Sequence, residues 1–259
     1  MTNKIKLENK SCLSYLKTLE DESVDLVLVD PPYFIDYEDW DNQWETEQEY
    51  LDWCKNWVEE SYRVLKPNSC FYVWGTTKTD LFLRFKLEVM NATENLHYQN
   101  WIVWSYDWGG RTKKKWARKH EDLLFYSKEE DFPFYDGRIR VPYKMESNIR
   151  DSAENDPRGK IPTDVWEKNN HTASKEYCSW HSTQKPLSLL ERIIKAHTEK
   201  GDTVLDFFSG SGSTMIASYN TGRKFKGCEI DTEYYKKSLD RFENLKDDKE
   251  WQSEENPFW

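Results

Sequence analysis

The chain has 259 residues, 32% of them charged, with a formal net charge of -10 and a mean hydropathy of -0.95; that length suits one α/β domain carrying an inserted segment and excludes several independent domains. No run reaches the roughly 18 apolar residues of a membrane span, the opening MTNKIKLENKSC lacks the apolar core and cleavage site of a secretory signal, and Cys12, Cys54, Cys70, Cys178 and Cys228 contain no C-x-x-C pair, which argues against a disulfide framework or a cysteine zinc site. A soluble, cytoplasmic protein is expected, with 13 Trp, 15 Tyr and 12 Phe building an aromatic-rich core, and with an acidic balance that disfavours polyanion binding by the whole surface while leaving room for a local basic patch.

The first strong element is VDLVLV, Val24 to Val29, a short apolar run that reads as a buried strand and stops at Asp30, Pro31, Pro32. Proline lacks a backbone donor and restricts the residue before it, so the pair ends the strand and throws the following residues above its C-terminal edge. From Glu47 to Leu65 the apolar residues fall at helical spacing, and Lys66 and Pro67 supply a stop. Phe71 to Trp74 reads as a second strand, Leu81 to Met90 as a second helix and Trp101 to Ser105 as a third strand. Strands alternating with helices predict a parallel sheet.

From Asp107 to about Cys178 this rhythm breaks into polar, Gly- and Pro-punctuated sequence, with only short strand candidates such as Asp122 to Tyr126. That segment is expected to be an insertion. The alternation resumes with Pro186 to His197 as a helix, Thr203 to Asp206 as a strand, a helix starting at Thr214, Lys224 to Glu229 as a strand, and Tyr234 to Leu245 as a closing helix. Lys246 to Glu255 reads as a solvated acidic tail, with Phe258 and Trp259 beyond it.

Two strand ends carry chemistry. Val204 to Thr214 (VLDFFSGSGST) combines a strand, a glycine-rich turn and a helix start, where free N–H groups and close backbone approach suit a nucleotide-like ligand. Glu229 follows at the next strand end, about where an acid accepts ribose hydroxyls in Rossmann-type sites. No G-x-G-x-x-G is present, which argues against a dinucleotide, and no lysine follows the second glycine as in a phosphate-gripping loop. The other end is Asp30-Pro31-Pro32-Tyr33. An exocyclic amino group on a base is a poor nucleophile because its lone pair is delocalised into the ring. Acceptors on the Asp30 carboxylate and the Pro31 carbonyl can draw that nitrogen toward tetrahedral geometry, and Tyr33 offers a stacking face for a base swung out of a duplex. Alone, the tetrapeptide reads as an Asp-Pro turn with a packing tyrosine.

Together, D-P-P-Y (Asp30 to Tyr33) and D-F-F-S-G-S-G-S-T (Asp206 to Thr214), with D-P-P-Y first in the chain, resemble the β-class amino-methyltransferases of DNA found in restriction-modification systems and phages. Asn9 to Leu16, Val64 to Asn68, Phe71 to Gly75, His120-Glu121 and His181 to Pro186 fall in that family's order, so the resemblance spans about residues 5 to 245. It implies a Rossmann-like α/β methyltransferase fold: a mostly parallel twisted sheet with helices on both faces and circularly permuted motif order. The implied parts are a catalytic half (1–106), an inserted target-recognition segment (107–178), a donor-binding half (179–245) and a tail (246–259). The implied cofactor is S-adenosylmethionine and the implied partner is DNA, with a cognate restriction endonuclease and a homodimer compatible with the resemblance and no membrane association.

Position by position, the resemblance places Asp30, Pro31, Pro32 and Tyr33 at the target amine. Asp206, Phe208, Gly210, Gly212 and Thr214 go to the methyl-donor pocket, Glu229 to the donor's ribose, Ser11 and Cys12 to its adenine, and Lys185 to its methionine end. The chain departs from the family at Phe207, where proline is usual, and at Ser11, where an acid is usual. Within the family D-P-P-Y goes with adenine N6 and S-P-P-Y with cytosine N4. The expected reaction is therefore direct methyl transfer to adenine N6 of DNA. Cytosine N4 is the first rival, methylation of RNA or of a glutamine side chain the next, and a non-catalytic donor- or DNA-binding module another. Arg111, Lys113, Lys114, Lys115, Arg118 and Lys119, followed by His120, form a basic run expected to meet phosphates. Arg138, Arg140, Arg150 and Arg158 are candidates to read guanine edges. No metal is expected, and neither His171 nor His181 has a ligand-like neighbourhood in the sequence.

Overall fold

The run VDLVLV forms β2 (Val24–Val29), and its alternate residues enter two different cores: Val27 and Val29 pack on one face of the sheet, Leu26 and Leu28 on the other. A strand buried on both faces must be central, and the rest of the sheet is arranged around it. In the computed structural model, which describes residues 4–107, 111–143, 156–167 and 176–246, eight strands run in the order β1-β8-β7-β2-β3-β5-β4-β6. These are β1 (Ile5–Asn9), β2, β3 (Leu65–Gly75), β4 (His97–Ser105), β5 (His120–Ser127), β6 (Val165–Glu167), β7 (Thr203–Asp206) and β8 (Lys224–Glu229). Every neighbouring pair is parallel except the two that β5 makes with β3 and β4. The fold is the Rossmann-like α/β arrangement expected from the sequence.

Helices cover both faces. On one lie α1 (Cys12–Leu16), α2 (Glu47–Val64) and α3 (Leu81–Arg84, continuing through a π-helical turn at Phe85–Met90), which place Tyr15, Leu51, Trp57 and Phe85 against the sheet. On the other, α4 (Leu187–His197), α5 (Ser213–Asn220) and α6 (Thr232–Leu245) bury Leu190, Ile193, Met215 and Phe242. Helix α2 starts at Thr46, whose side chain accepts from the Glu49 N–H, and α6 starts at Asp231, which accepts from the N–H groups of Glu233 and Tyr234. Among the described residues no helix is long and apolar enough to cross a membrane.

Three local expectations are corrected. Lys66 and Pro67 lie inside the first part of β3, because α2 passes directly into an extended strand at Leu65. The single helix expected from Leu81 to Met90 changes winding at Phe85. The candidate strand at Asp122 to Tyr126 is the eight-residue β5, inserted between β3 and β4, and β6 adds a further edge strand, so part of the segment expected to be an insertion belongs to the sheet. Leu123 and Phe125 face one core and Leu124 and Tyr126 the other, burial that requires neighbours on both sides. Residues 144–155 and 168–175, with Arg150 and His171, and the tail beyond 246, with Phe258 and Trp259, lie outside the described residues.

Backbones approach closely where β7 meets β8. Gly227 pairs with Asp206, and a Cβ at Gly227 would lie 2.3 Å from the Asp206 carbonyl oxygen. Gly227→Ala is accordingly expected to lower folding stability by about 1–3 kcal/mol through overpacking, measured by urea or thermal unfolding.

Candidate active site

Strands β2, β7 and β8 are parallel neighbours, so their C-terminal ends meet at one edge of the sheet. Asp30 follows the last residue of β2, Asp206 closes β7 and Glu229 closes β8. A cavity of about 730 Å³ opens at this edge. Asp30, Pro31, Pro32 and Tyr33 line one part of it, Ser11, Cys12, Asp206, Phe208, Gly210, Thr214 and Glu229 another, and Lys185 is in its wall.

After Asp30 the chain is held by side chains distant in sequence. The buried Asp41 carboxylate, 1% exposed, accepts from the backbone N–H groups of Tyr33, Phe34 and Ile35, each at 2.7 Å, and from Tyr37 at 3.3 Å. Phe34 and Asp36 have φ of +52° and +58°, a region side-chain-bearing residues rarely adopt, and the Asp41 bonds offset that strain. The Tyr50 hydroxyl donates to the Pro32 carbonyl and the Lys78 ammonium to the Ile35 carbonyl, both at 2.8 Å. Asp41 and Tyr50 were not apparent in the sequence: one lies in an acidic loop with nothing local to mark it, the other on what reads only as the apolar stripe of α2.

Asp30 is the hub of the first half of the site. Its Oδ1 accepts from the Tyr33 hydroxyl, and its Oδ2 accepts from the Lys185 ammonium at 2.5 Å. Lys185 also lies 3.1 Å from Glu121 Oε2, at the start of β5. Burial by itself would lower the Lys185 pKa, but the flanking carboxylates of Asp30 and Glu121 outweigh it and push it up. Burial raises the Glu121 carboxyl and Lys185 partly offsets that rise. Burial, with the Asp30 charge, pushes the Tyr33 phenol well up, so it remains a hydrogen-bond donor. The resemblance places Lys185 at the donor's methionine end; its ammonium is ion-paired with the D-P-P-Y carboxylate and Glu121.

The second half is built on the glycine turn. Gly210 and Gly212 have φ of +47° and +76°, and Gly212 precedes α5, packing against Ser238 and Met215 without lining the cavity. Glu229 Oε2 accepts from Gly210 N–H at 2.7 Å and Oε1 from Asp231 N–H at 2.9 Å, so the acid is fixed to the turn while each oxygen keeps a lone pair. Asp206 Oδ1 accepts from Phe208 N–H at 3.0 Å, with Thr214 as a further partner. Arg241, reaching from α6, donates to the Ser211 carbonyl at 2.8 Å and braces the turn from outside. Trp53 and Phe208, ring centroids 5.6 Å apart, give the cavity an aromatic wall.

Burial raises the pKa of both acids, and for Asp206 the neighbouring charges of Asp30 and Glu229 help push it to about 7. Neither Asp206 nor Glu229 is ion-paired among the described residues. A ligand that brings positive charge and hydroxyl donors therefore fits this donor set. The Cys12 thiol is pushed up to about 12 by burial, so it is not a thiolate at neutral pH. His181, in the cavity wall, is lowered to about 4 by burial and is neutral there. Among the described residues no group of His, Cys, Asp and Glu is placed to hold a metal ion.

Of the basic run, Arg118 reaches this cavity. Arg111, Lys113, Lys114 and Lys115 are exposed, as is Trp116 at 99%, and Arg118 is in the cavity lining. Lys119 donates to the Asp107 carbonyl at 3.0 Å, and the His120 ring sits 3.2 Å from the Thr77 hydroxyl, which ties both to the sheet. Three of the four arginines considered for base reading have partners within the fold. Arg138 binds Glu199 and the Thr198 carbonyl, Arg140 binds Asp136 and the Gly159 carbonyl, and Arg158 binds Asp156. Arg150 is outside the described residues.

A family profile described as DNA methylase (N6/N4) matches residues 24–240. The DNA adenine methyltransferase YhdJ of Escherichia coli (strain K12) is 34% identical over 241 residues, covering 89% of this chain and 80% of that protein. Among solved structures, PvuII DNA methyltransferase (cytosine-N4-specific) superposes with a TM-score of 0.74 at 20% identity, covering 93% of this chain and 87% of that one. The complex of M1.HpyAVI with S-adenosylmethionine superposes with a TM-score of 0.61 at 22% identity, covering 92% and 99%.

The raised Asp206 pKa has a stability consequence with a fixed sign. A carboxyl near 7 in the fold and near 3.9 in the unfolded chain holds its proton longer when folded, so its stabilising contribution is complete below about pH 4 and is lost as pH rises through 7. In ligand-free protein, Asp206→Asn keeps the Oδ1 acceptor and removes this titration. It is expected to raise the melting temperature relative to the parent at pH 8 and to lose that advantage toward pH 5, read from parallel thermal unfolding curves.

Proposed function

This chain belongs to the N6/N4 family of DNA methylases, and from that premise we propose that it transfers a methyl group from S-adenosylmethionine to the N6 amino group of adenine in DNA. The observation that carries the proposal is the shared cavity: a D-P-P-Y strand end and a glycine-turn strand end open into one space, so an amine held by the first faces a donor held by the second. Adenine is preferred to cytosine because the family pairs D-P-P-Y with adenine. The similarity to a DNA adenine methyltransferase agrees with that choice, and the cytosine-N4 neighbour, at 20% identity, speaks for the fold alone.

When bound, S-adenosylmethionine supplies a methyl carbon made electrophilic by its sulfonium. In this reading Glu229 accepts the ribose hydroxyls, Asp206 and the glycine turn hold the cationic end, and Ser11, Cys12 and Phe208 face the adenine. Asp30 and the Pro31 carbonyl accept the two amino protons of the target base and aim its lone pair, and the Tyr33 ring stacks on the flipped base. The rigid loop means that these acceptors need no rearrangement as charge develops on the nitrogen. The proton is lost from nitrogen after transfer, and no cysteine nucleophile is required. Arg111, Lys113, Lys114, Lys115, Arg118 and Lys119 place a positive lip on an otherwise acidic protein and take up backbone phosphates. The parts of 107–178 outside β5 and β6 serve target recognition. The same reading places the protein in the cytoplasm of a bacterium or phage-infected cell, alone or beside a cognate endonuclease.

The test is to incubate the protein with S-adenosylmethionine and unmethylated genomic DNA, digest to nucleosides and weigh the products. N6-methyladenine is expected, N4-methylcytosine overturns the base assignment, and donor binding without product points to a binding module. Asp30→Ala should abolish transfer with donor affinity retained. Replacing Lys113, Lys114 and Lys115 with alanine should weaken DNA binding and lower the slope of log K against log salt by about 0.9 for each phosphate no longer neutralised, read from titrations across a salt series.

A further inference from the structure

In this structure both oxygens of Asp30 are engaged: Oδ1 by the Tyr33 hydroxyl and Oδ2 by the Lys185 ammonium at 2.5 Å. Each oxygen keeps a second lone pair, but an ammonium at that distance draws the carboxylate's charge to itself and weakens whatever bond Asp30 can make to an incoming amine. The Tyr33 hydroxyl carries no charge, but an ammonium that is 5% exposed must have another anion to go to. Glu121 provides one. Its Oε2 lies 3.1 Å from the same Nζ, it is the second residue of β5 and lines the cavity, and it is half-buried within reach of the charges of Arg118 and Asp30. The Thr183 carbonyl, at 3.4 Å, is the other acceptor near Nζ and carries no charge.

We propose that Glu121 is a positioning residue, the alternative seat to which Lys185 moves when the target amine enters, so that Asp30 Oδ2 opens to the amine without a buried cation being left unpaired. The proposal rests on the reading of Asp30 as the acceptor of the target amine. Lys185 is then neither a donor-binding group nor a permanent clamp on Asp30. With Glu121 in place the ammonium shifts between two carboxylates already within its reach, and the charge of the site is unchanged. Without Glu121 the ammonium has one anionic partner, Asp30, and competes with every base that enters.

Glu121→Gln tests this, because the amide keeps the volume and removes the charge that draws Lys185 away. Single-turnover methyl transfer should slow about 10- to 100-fold, the range expected when one charge-assisted hydrogen bond is removed. S-adenosylmethionine affinity, and the fluorescence rise of 2-aminopurine placed at the target base, should be unchanged. A merely structural role would move all three readouts together. In a Lys185→Met background, Glu121→Gln should have no further effect on the transfer rate, since the cation it manages is gone. Glu121→Asp, which keeps the charge but withdraws it by a methylene, should slow transfer in the same direction and carries the test if the glutamine variant does not fold. A Glu121→Gln rate within about twofold of the parent, less than removal of any charged hydrogen bond would cause, overturns the proposal. So does an additive loss in the double variant, which would mean that Glu121 acts on the substrate directly. Turnover surviving Asp30→Ala would instead remove the acceptor reading itself, so the two failures are distinguishable.

Discussion

The parallel pairing of β2 with β7, and of β7 with β8, is the constraint on which the site depends. Parallel neighbours end at the same edge, so three acidic residues far apart in the chain, Asp30, Asp206 and Glu229, are delivered to one cavity by backbone hydrogen bonding alone. Adjacent parallel strands whose helical connections leave on opposite faces open a crevice at their carboxyl ends, and here α2 follows β2 on one face while α5 follows β7 on the other. Gly227 allows β8 to lie against β7, where a side chain would meet the Asp206 carbonyl.

Gathering acids costs electrostatic energy, and the structure handles it differently in the two halves of the cavity. Around Asp30 the charge is balanced internally: Lys185 sits between Asp30 and Glu121, and the Tyr33 hydroxyl donates to the same carboxylate. Around Asp206 and Glu229 the balance is left to backbone N–H groups and a hydroxyl, and the acids are pushed upward in pKa by burial. The first half is already paired. The second gains most from a ligand carrying positive charge, and binding of such a ligand and ionisation of Asp206 reinforce each other.

Rigidity is supplied from outside the motifs. Asp41 gathers the N–H groups of the loop after Asp30, Tyr50 and Lys78 take its carbonyls, and Arg241 braces the glycine turn from α6. Each removes conformational freedom from a backbone that would otherwise have to be ordered when substrate binds, the main cost of assembling a reactive geometry.

Most of the central strands and helices, and the acids at the strand ends, could be read from local pattern, because burial periodicity, proline stops and glycine turns act over a few residues. Asp30 to Tyr33, the glycine turn and Glu229 were legible for that reason, and their order along the chain identified the kind of site. It took the folded chain to show that β5 lies between β3 and β4, that Lys185 answers Asp30 and Glu121, that Asp41 holds the loop, and that Arg138, Arg140 and Arg158 have internal partners. Those are choices of partner among chemically equivalent candidates distant in sequence. Local pattern fixes which way a side chain faces on its own element, but strand order and packing fix which charge it meets.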